Sequence, residues 1–216
     1  MNVLELFAGS RSIGKVAETL GYEVWSSDVK DFGGIHQVQD ILKFDASQVP
    51  WRPNILWASP PCTGFSVAAI GHHWRREGDA YIPKTETARN GLKFVEKTLE
   101  IIDELKPDVW FIENPRGMLR KMPIMQDLKR FTVTYCQYGD IRMKPTDIWT
   151  NSEEWNPRPM CKNGATCHVS APRGSKTGTQ GLKGNFERSK LPPELCAEVL
   201  NSASYEIRKK YDFNIH

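Results

Sequence analysis

Two residues carry the chemistry that this sequence offers. Cys62 stands in Trp57-Ala58-Ser59-Pro60-Pro61-Cys62-Thr63-Gly64-Phe65-Ser66, just past the apolar run Ile55 to Trp57. Glu113 stands in Glu113-Asn114-Pro115-Arg116-Gly117, just past the run Asp108 to Ile112. Both runs read as buried strands. Proline follows each and favours an extended exit, because it fixes its own φ and disfavours helix in the residue before it. In an open α/β sheet, ligands bind beyond the carboxyl ends of the strands. If the two strands are neighbours, a thiol and a carboxyl face one crevice, which suits covalent attack with acid assistance. Plainer readings exist for each: most free cysteines are small buried apolar residues, and Glu113 could be a solvated helix cap.

Positioning such a pair requires a sheet. Val3 to Phe7 reads as a central strand running into Ala8-Gly9-Ser10-Arg11-Ser12-Ile13-Gly14, whose small residues let the backbone turn and approach a ligand. A helix follows on Ile13, Val16, Ala17 and Leu20, and Gly21 stops it. The second strand, Glu23 to Ser27, ends at Asp28, 19 positions past Gly9. That is where nucleotide-binding α/β units hold ribose hydroxyls, although the full glycine fingerprint is missing. His36 to Ile41 reads as a short edge strand, with Asp40 beside Ile41 placed to meet a base edge and a base face. The segment from Ser66 to about Glu86 has no clear periodicity and carries His72, His73, Trp74, Arg75 and Arg76; it reads as a mobile loop that closes on substrate. Glu86 to Leu105 is an amphipathic helix with Leu92, Val95, Leu99 and Ile102 on one face, ended by Pro107. Thr132 to Tyr135 is strand-like, and Arg142 and Lys144 alternate so as to share a face of an extended segment. Ser189 to Arg208 is a closing helix with Pro193 in its first turn and an apolar face of Cys196, Val199, Leu200, Ala203 and Ile207.

Composition limits the rest. The 216 residues, 39% hydrophobic and 25% charged, suit one globular domain with a small appendage. No apolar run reaches a membrane span, and no signal peptide is evident. Five cysteines, an odd and scattered set, point to a reducing compartment, so a cytoplasmic location is expected. From about Ser152 to Arg188 aliphatic residues thin out and Pro, Gly, Lys, Arg and Thr replace them, which reads as an irregular insert outside the main core. Pro172 to Lys190 holds five cations, among them Arg173 and Lys176, against Glu187 alone. Its net of +4 exceeds the +3 of the whole chain and makes it a candidate phosphate-contacting surface, or else a solvated basic loop. Cys161, Cys167 and His168 are possible zinc ligands, but the spacing is not a standard finger and no fourth ligand is obvious. No metal is therefore expected.

Taken in order, the segments Glu5 to Gly14, Asp28, Asp40-Ile41, Ser59 to Ser66, Glu113 to Gly117 and Arg188 to Cys196 resemble the DNA (cytosine-5) methyltransferases. The resemblance covers most of the chain, and a PPC-x-x-FS segment followed by Glu-Asn after an apolar strand is its most specific part. It implies a Rossmann-like, doubly wound and mostly parallel sheet that carries S-adenosylmethionine. It implies residues 1–151 as the catalytic and cofactor-binding domain, 152–188 as a short target-recognition-like insert, and 189–216 as a C-terminal helix returning to the first. Phe7, Ala8, Gly9 and Ser10 would line the amino-acid end of the cofactor, with Pro60 nearby, Asp28 at the ribose, and Asp40 and Ile41 at the adenine. Cys62 would attack carbon 6 of a cytosine flipped from double-stranded DNA, and Glu113 would hold ring nitrogen 3 and the exocyclic amine. Ser66, Arg75, Arg76, Arg173 and Lys176 would contact nucleic acid. A free thiol titrates near 8.5, so a cation should favour the thiolate, and Arg142 is the candidate.

Three features depart from the family pattern: Ser10-Arg11-Ser12 where glycine is frequent, Pro115 after Asn114, and Lys144 in place of the second of two arginines. The short insert resembles compact phage or bacterial members and implies loose sequence specificity or a partner that supplies it. Two other enzymes share features with this chain. Ser59-Pro60-Pro61 resembles the motif of methyltransferases acting on exocyclic amines, which need no thiol. One branch of the cytosine-5 family methylates tRNA, which a small insert would also allow. A binding module without turnover would need neither Cys62 nor Glu113.

Overall fold

The computed structural model describes residues 1–170 and 184–212. Its strands are β1 (Asn2–Leu6), β2 (Glu23–Asp28), β3 (Gln37–Val38), β4 (Ile55–Ala58), β5 (Trp74–Glu77), β6 (Ala80–Pro83), β7 (Val109–Pro115), β8 (Arg130–Thr134) and β9 (Pro145–Thr150). Its helices are α1 (Ser12–Thr19), α2 (Ile70–His73), α3 (Glu86–Leu105), α4 (Pro123–Gln126), α5 (Asn185–Ser189) and α6 (Pro193–Asp212). Seven strands form one sheet in the order β3-β2-β1-β4-β7-β9-β8, and β5 and β6 form a separate hairpin. The first five strands of the sheet are parallel, while β9 runs antiparallel to both β7 and β8. This is the expected mostly parallel, doubly wound arrangement. The strand order reverses between β1 and β4, so the crevice at their carboxyl ends is the place where such folds bind ligands.

The central strands are apolar on both faces because both are covered. Val3, Ile55, Trp57, Val109 and Phe111 pack beneath α1 and α6, whose buried residues include Ile13, Ala17, Cys196, Val199 and Ala203. Leu4, Leu6, Leu56, Ala58, Ile112 and Trp149 pack on the other side with α3 and the loops around Ile41 and Met118. Helix α3 has the expected limits, with Thr85 capping it by accepting from the Ala88 amide at 3.2 Å. Its fully buried stripe is Ala88, Gly91, Val95, Thr98 and Ile101, rotated slightly from the Leu92–Leu99 line. Phe65 sets that rotation: a Cβ on Gly91 would meet its ring at 3.1 Å.

Two expectations need correction. The segment after Ser66 is not a structureless loop. It holds α2 and the β5–β6 hairpin, fixed at its base by buried Trp74, which stacks on Phe65 with ring centroids 6.0 Å apart and donates to the Gly64 carbonyl at 2.7 Å. Buried His73 shares a 2.7 Å hydrogen bond with Thr85, which leaves it structural. The segment after Ser152 also begins inside the core. Residues 151–170 contain no helix or strand, yet Trp155 is only 2% exposed and packs edge-on against Phe111 and Phe131. Glu206 of α6 clasps the start of this segment, accepting from the Ser152 hydroxyl at 2.6 Å and from the amides of Glu153 and Glu154. Among the described residues no helix is long and apolar enough to cross a membrane.

Candidate active site

Strands β4 and β7 are hydrogen-bonded neighbours, with Ala58 opposite Ile112. Glu113 is therefore the next residue of β7, and Cys62 lies four residues beyond the end of β4. The turn between is rigid. Ser59 donates its amide to Leu6 O at 3.3 Å, and the Pro60 carbonyl accepts from Asn114 Nδ2 at 2.9 Å. A Cβ on Gly117 would lie 2.2 Å from the Phe65 carbonyl oxygen, so the loops carrying Cys62 and Glu113 touch backbone to backbone at that glycine. Ser66 closes the short turn Thr63–Phe65 and is half-buried at its end.

Glu113 is 6% exposed and well supplied with donors. The Tyr135 hydroxyl donates to its Oε1 at 3.1 Å, and the Ser59 hydroxyl hydrogen-bonds it too. Burial nevertheless pushes its carboxyl above the usual range, against the opposing pull of the Lys144 ammonium. Cys62 is solvent-exposed. Crowding around its sulfur and the negative charge of Glu113 push its thiol up, and Lys144 and Arg188 pull it back only in part. Cations do favour the thiolate here, but burial and Glu113 outweigh them. A thiolate and a carboxylate repel across one crevice, so each raises the other's affinity for a proton.

The cation assignment shifts with it. Arg142 is 5% exposed, but its guanidinium forms a forked pair with the Asp140 carboxylate and donates to the carbonyls of Arg188 at 3.3 Å and Lys190 at 3.2 Å. Its charge is already matched, and its role is to tie the returning chain to β9. Lys144 instead reaches the pair, with Nζ 3.4 Å from Tyr135 Oη and 3.0 Å from the Arg188 carbonyl. Burial pushes its ammonium down, and the charges of Glu113 and Cys62 favour keeping it protonated. The expectation that Arg142 and Lys144 share a face is met on the Tyr135 ring, which has Lys144 Nζ at 4.5 Å and the Arg142 guanidinium carbon at 5.6 Å.

The turn after β1 is tightly wound, with Phe7, Gly9 and Arg11 all at positive φ. Arg11 takes the left-handed conformation where glycine would be easier, held by a 3.1 Å bond from Nε to Ser26 Oγ and an ion pair with Glu18. This accounts for the loss of glycine there. Asp28 ends β2 and faces the turn, its carboxylate accepting from the Gly9 amide at 2.9 Å and the Lys30 amide at 3.0 Å. Glu5 was not among the expected site residues. It is buried beneath the turn, accepts the Ile13 and Gly14 amides at 3.0 Å each, and burial pushes its carboxyl up to about 7. Ala8, Ser10 and Pro60 are buried or nearly so around this edge. Asp40 is exposed and accepts from the Leu42 amide at 3.0 Å, while Ile41 points into the core at 6% exposure. A cavity of about 510 Å³ adjoins the turn, between Ser12, Gly139, Arg142, Leu191 and Pro192. Ser10 is the one expected cofactor residue that lines it.

Of the expected nucleic-acid contacts, Arg75 and Arg76 are exposed on β5 and lie beside acids of their own hairpin, Glu77 at 2.6 Å and Asp79 at 3.2 Å. Arg173 and Lys176 lie outside the described residues. Sequence reasoning missed Tyr135 and Arg188, since nothing near either marks it as facing Glu113 or Cys62. Lys144 was noted as sharing a face with Arg142 and as a departure from a paired arginine, but not as the cation acting on Cys62 and Glu113.

Comparison with known proteins shows the family and the fold. A probable DNA (cytosine-5)-methyltransferase of Frog virus 3 is 28% identical over 220 residues, covering 93% of this chain and 99% of that protein. Among solved structures, a putative DNA modification methyltransferase encoded within an E. coli prophage superposes with a TM-score of 0.52 at 14% identity, covering 94% of this chain and 69% of that one. The Entamoeba histolytica methyltransferase EhMeth also superposes with a TM-score of 0.52 at 14% identity, covering 75% of this chain and 57% of that one. These two likenesses establish a shared fold. The sequence profile of the C-5 cytosine-specific DNA methylases matches residues 1–132, more than half of the chain, and the protein belongs to that family of enzymes.

Proposed function

We propose that this protein methylates carbon 5 of cytosine in double-stranded DNA through a covalent bond to Cys62, with the base flipped out of the helix. The observation that carries this reading is the pairing of Cys62 with buried Glu113 across β4 and β7, beside Lys144. Carbon 5 of cytosine is a weak nucleophile. Addition of the Cys62 thiolate at carbon 6 breaks the ring's aromaticity and turns carbon 5 into an enamine-like carbon. Glu113, whose carboxyl burial pushes up, donates to ring nitrogen 3 and offsets the negative charge that would otherwise build there. Lys144 stabilises negative charge on either partner. After methylation, loss of the carbon 5 proton expels the Cys62 sulfur and restores the ring.

S-Adenosylmethionine, when bound, supplies the electrophilic methyl group. The tight turn after β1, with Gly9 bonded to Asp28, suits this group: Phe7, Ala8, Gly9 and Ser10 would hold its amino-acid end and the Asp28 carboxylate its ribose hydroxyls. Asp40 is free to meet a base edge, and Ile41 can offer only the small part of its side chain left outside the core. Extruding the cytosine costs a few kcal/mol. Arg75 and Arg76 of the β5–β6 hairpin would contact phosphates of the duplex, Ser66 would lie near the gap left by the flipped base, and Arg173 and Lys176 would add further phosphate contacts.

Duplex DNA containing 5-fluorocytosine tests this. Fluorine at carbon 5 cannot leave as a proton does, so a denaturation-resistant complex should form with S-adenosylmethionine and disappear in Cys62→Ser. Methyl transfer that survives Cys62→Ser would overturn the covalent route. Adduct on tRNA but not on DNA would overturn the substrate.

A further inference from the structure

The described residues contain one more cluster of reactive side chains, on the far side of Tyr135 from Glu113 in sequence. Cys136 follows Tyr135 in the turn Tyr135–Tyr138. Cys161, Cys167 and His168 come from the irregular segment after Trp155. Their ligand atoms all lie within 4.8 Å of one another. We propose that these four residues bind one zinc ion in a closed structural site that fastens the insert to the catalytic domain.

The geometry is that of a tetrahedron already drawn. Zinc binds thiolate at about 2.3 Å and imidazole at about 2.0–2.1 Å, so a tetrahedral site has sulfur–sulfur edges of about 3.8 Å and sulfur–nitrogen edges of about 3.6 Å. Here Cys136 Sγ lies 3.6 Å from Cys167 Sγ and 3.2 Å from Cys161 Sγ. His168 Nδ1 lies 3.6 Å from Cys161 Sγ and 3.7 Å from Cys167 Sγ. All the cysteines are free, with no disulfide among them. Three thiolates and an imidazole are a soft donor set that selects zinc over magnesium or calcium. Four protein ligands leave no open position, which marks a structural rather than a catalytic site. Binding would release the three thiol protons to solvent.

The surroundings support the ligands. Gln137 Nε2 donates to Cys167 Sγ at 3.5 Å, and the Cys161 amide donates to Thr134 Oγ1 at 2.9 Å. The Val169 amide donates to the Ile141 carbonyl at 3.0 Å, joining the insert to the segment that leads to Lys144. There is also a need for such a staple. With no helix or strand from 151 to 170, and little apolar burial beyond Trp155, the segment lacks other means of holding one shape. The site is hard to read in sequence because Cys136 precedes Cys161 by 25 positions and belongs to the core.

Metal content is measured on the full-length protein purified anaerobically and reconstituted with Zn2+ alone. One tightly held zinc per chain is expected, lost in Cys161→Ser and in Cys167→Ser but kept in Cys62→Ser. To separate metal loss from misfolding of those variants, the unaltered protein is also loaded with Co2+. A tetrahedral ligand-field spectrum with thiolate charge-transfer bands is expected, and chelation should speed tryptic cleavage after Lys162. Absence of bound zinc, an octahedral cobalt spectrum, zinc retained by both variants, or a Cys136–Cys161 disulfide in the reconstituted protein would each overturn the proposal. None of these readouts requires methyl transfer.

Discussion

Replacing Lys144 with methionine removes one charge and keeps most of the side chain's packing. Lys144 Nζ and Glu113 are linked through the Tyr135 hydroxyl by contacts of 3.4 and 3.1 Å. That puts charge and carboxylate roughly 6 Å apart, and at an effective dielectric of about 20 the attraction is about 3 kcal/mol, or about two pKa units. Lys144 is only half-buried, so solvent screening trims this to about one to two units. The same charge opposes the upward push on Cys62. In Lys144→Met, Glu113 and Cys62 should both move further up. The rising limb of kcat/KM against pH, which reports the Cys62 thiol of the free enzyme, should shift upward. The single-turnover rate of tritiated methyl transfer at neutral pH should fall roughly 10- to 100-fold. Lys144→Arg should recover most of the loss. Lys144 has a φ of 28°, and both replacements inherit the same backbone strain, so that strain cancels from the comparison. An unchanged pH profile in Lys144→Met, with fold and cofactor binding intact, would refute the electrostatic role.

Three further outcomes follow from the same geometry. Tyr135→Phe removes a donor to a buried carboxyl at about 1–3 kcal/mol; single-turnover methyl transfer should drop about tenfold or more while circular dichroism is unchanged. Gly117→Ala places a Cβ 2.2 Å from the Phe65 carbonyl, so the loops must part. Thermal denaturation should show a loss of about 2 kcal/mol or more, and trapping on 5-fluorocytosine DNA should fail even where the protein remains folded. Glu5, held at about 7 by burial against an ordinary value of 4.5, takes up a proton on folding. Its raised value gives stability that is complete below about 4.5 and lost as pH rises through about 7, a change of at most about 3 kcal/mol. The difference in urea-derived stability between the unaltered protein and Glu5→Gln should shrink across that window; a flat difference would count against it.

The sheet was legible because burial on both faces writes itself as short apolar runs. β1, β2, β4 and β7 appeared within a few residues of their true limits, and α3 and α6 were marked by their periodicity. The β5–β6 hairpin was not legible, because its anchor is a tertiary one: Trp74 looks like an exposed loop aromatic until Phe65 and Gly64 are seen beneath it. At the site, Cys62 and Glu113 could be found from their positions past two strands. Choosing between Arg142 and Lys144 could not be done from their alternation, since the choice rests on Asp140 taking up the arginine's charge. Cys136 was invisible as a ligand for the same kind of reason: its partners are distant in the chain and meet it only after β8 has formed.

The Glu206 clasp at Ser152 has a counterpart at the other end of the insert, where Arg142 grips the carbonyls of Arg188 and Lys190. The chain between the two grips is therefore a closed loop whose ends are fixed to the core independently of its contents. Lengthening a flexible loop costs only about 0.6 kcal/mol per doubling. Residues added beyond His168 would leave in place both the proposed metal ligands and the ion pairs of Arg158 with Glu194 and Glu198 of α6. A library of insertions between Val169 and Arg188 would use this chain as a minimal frame for testing new sequence preferences.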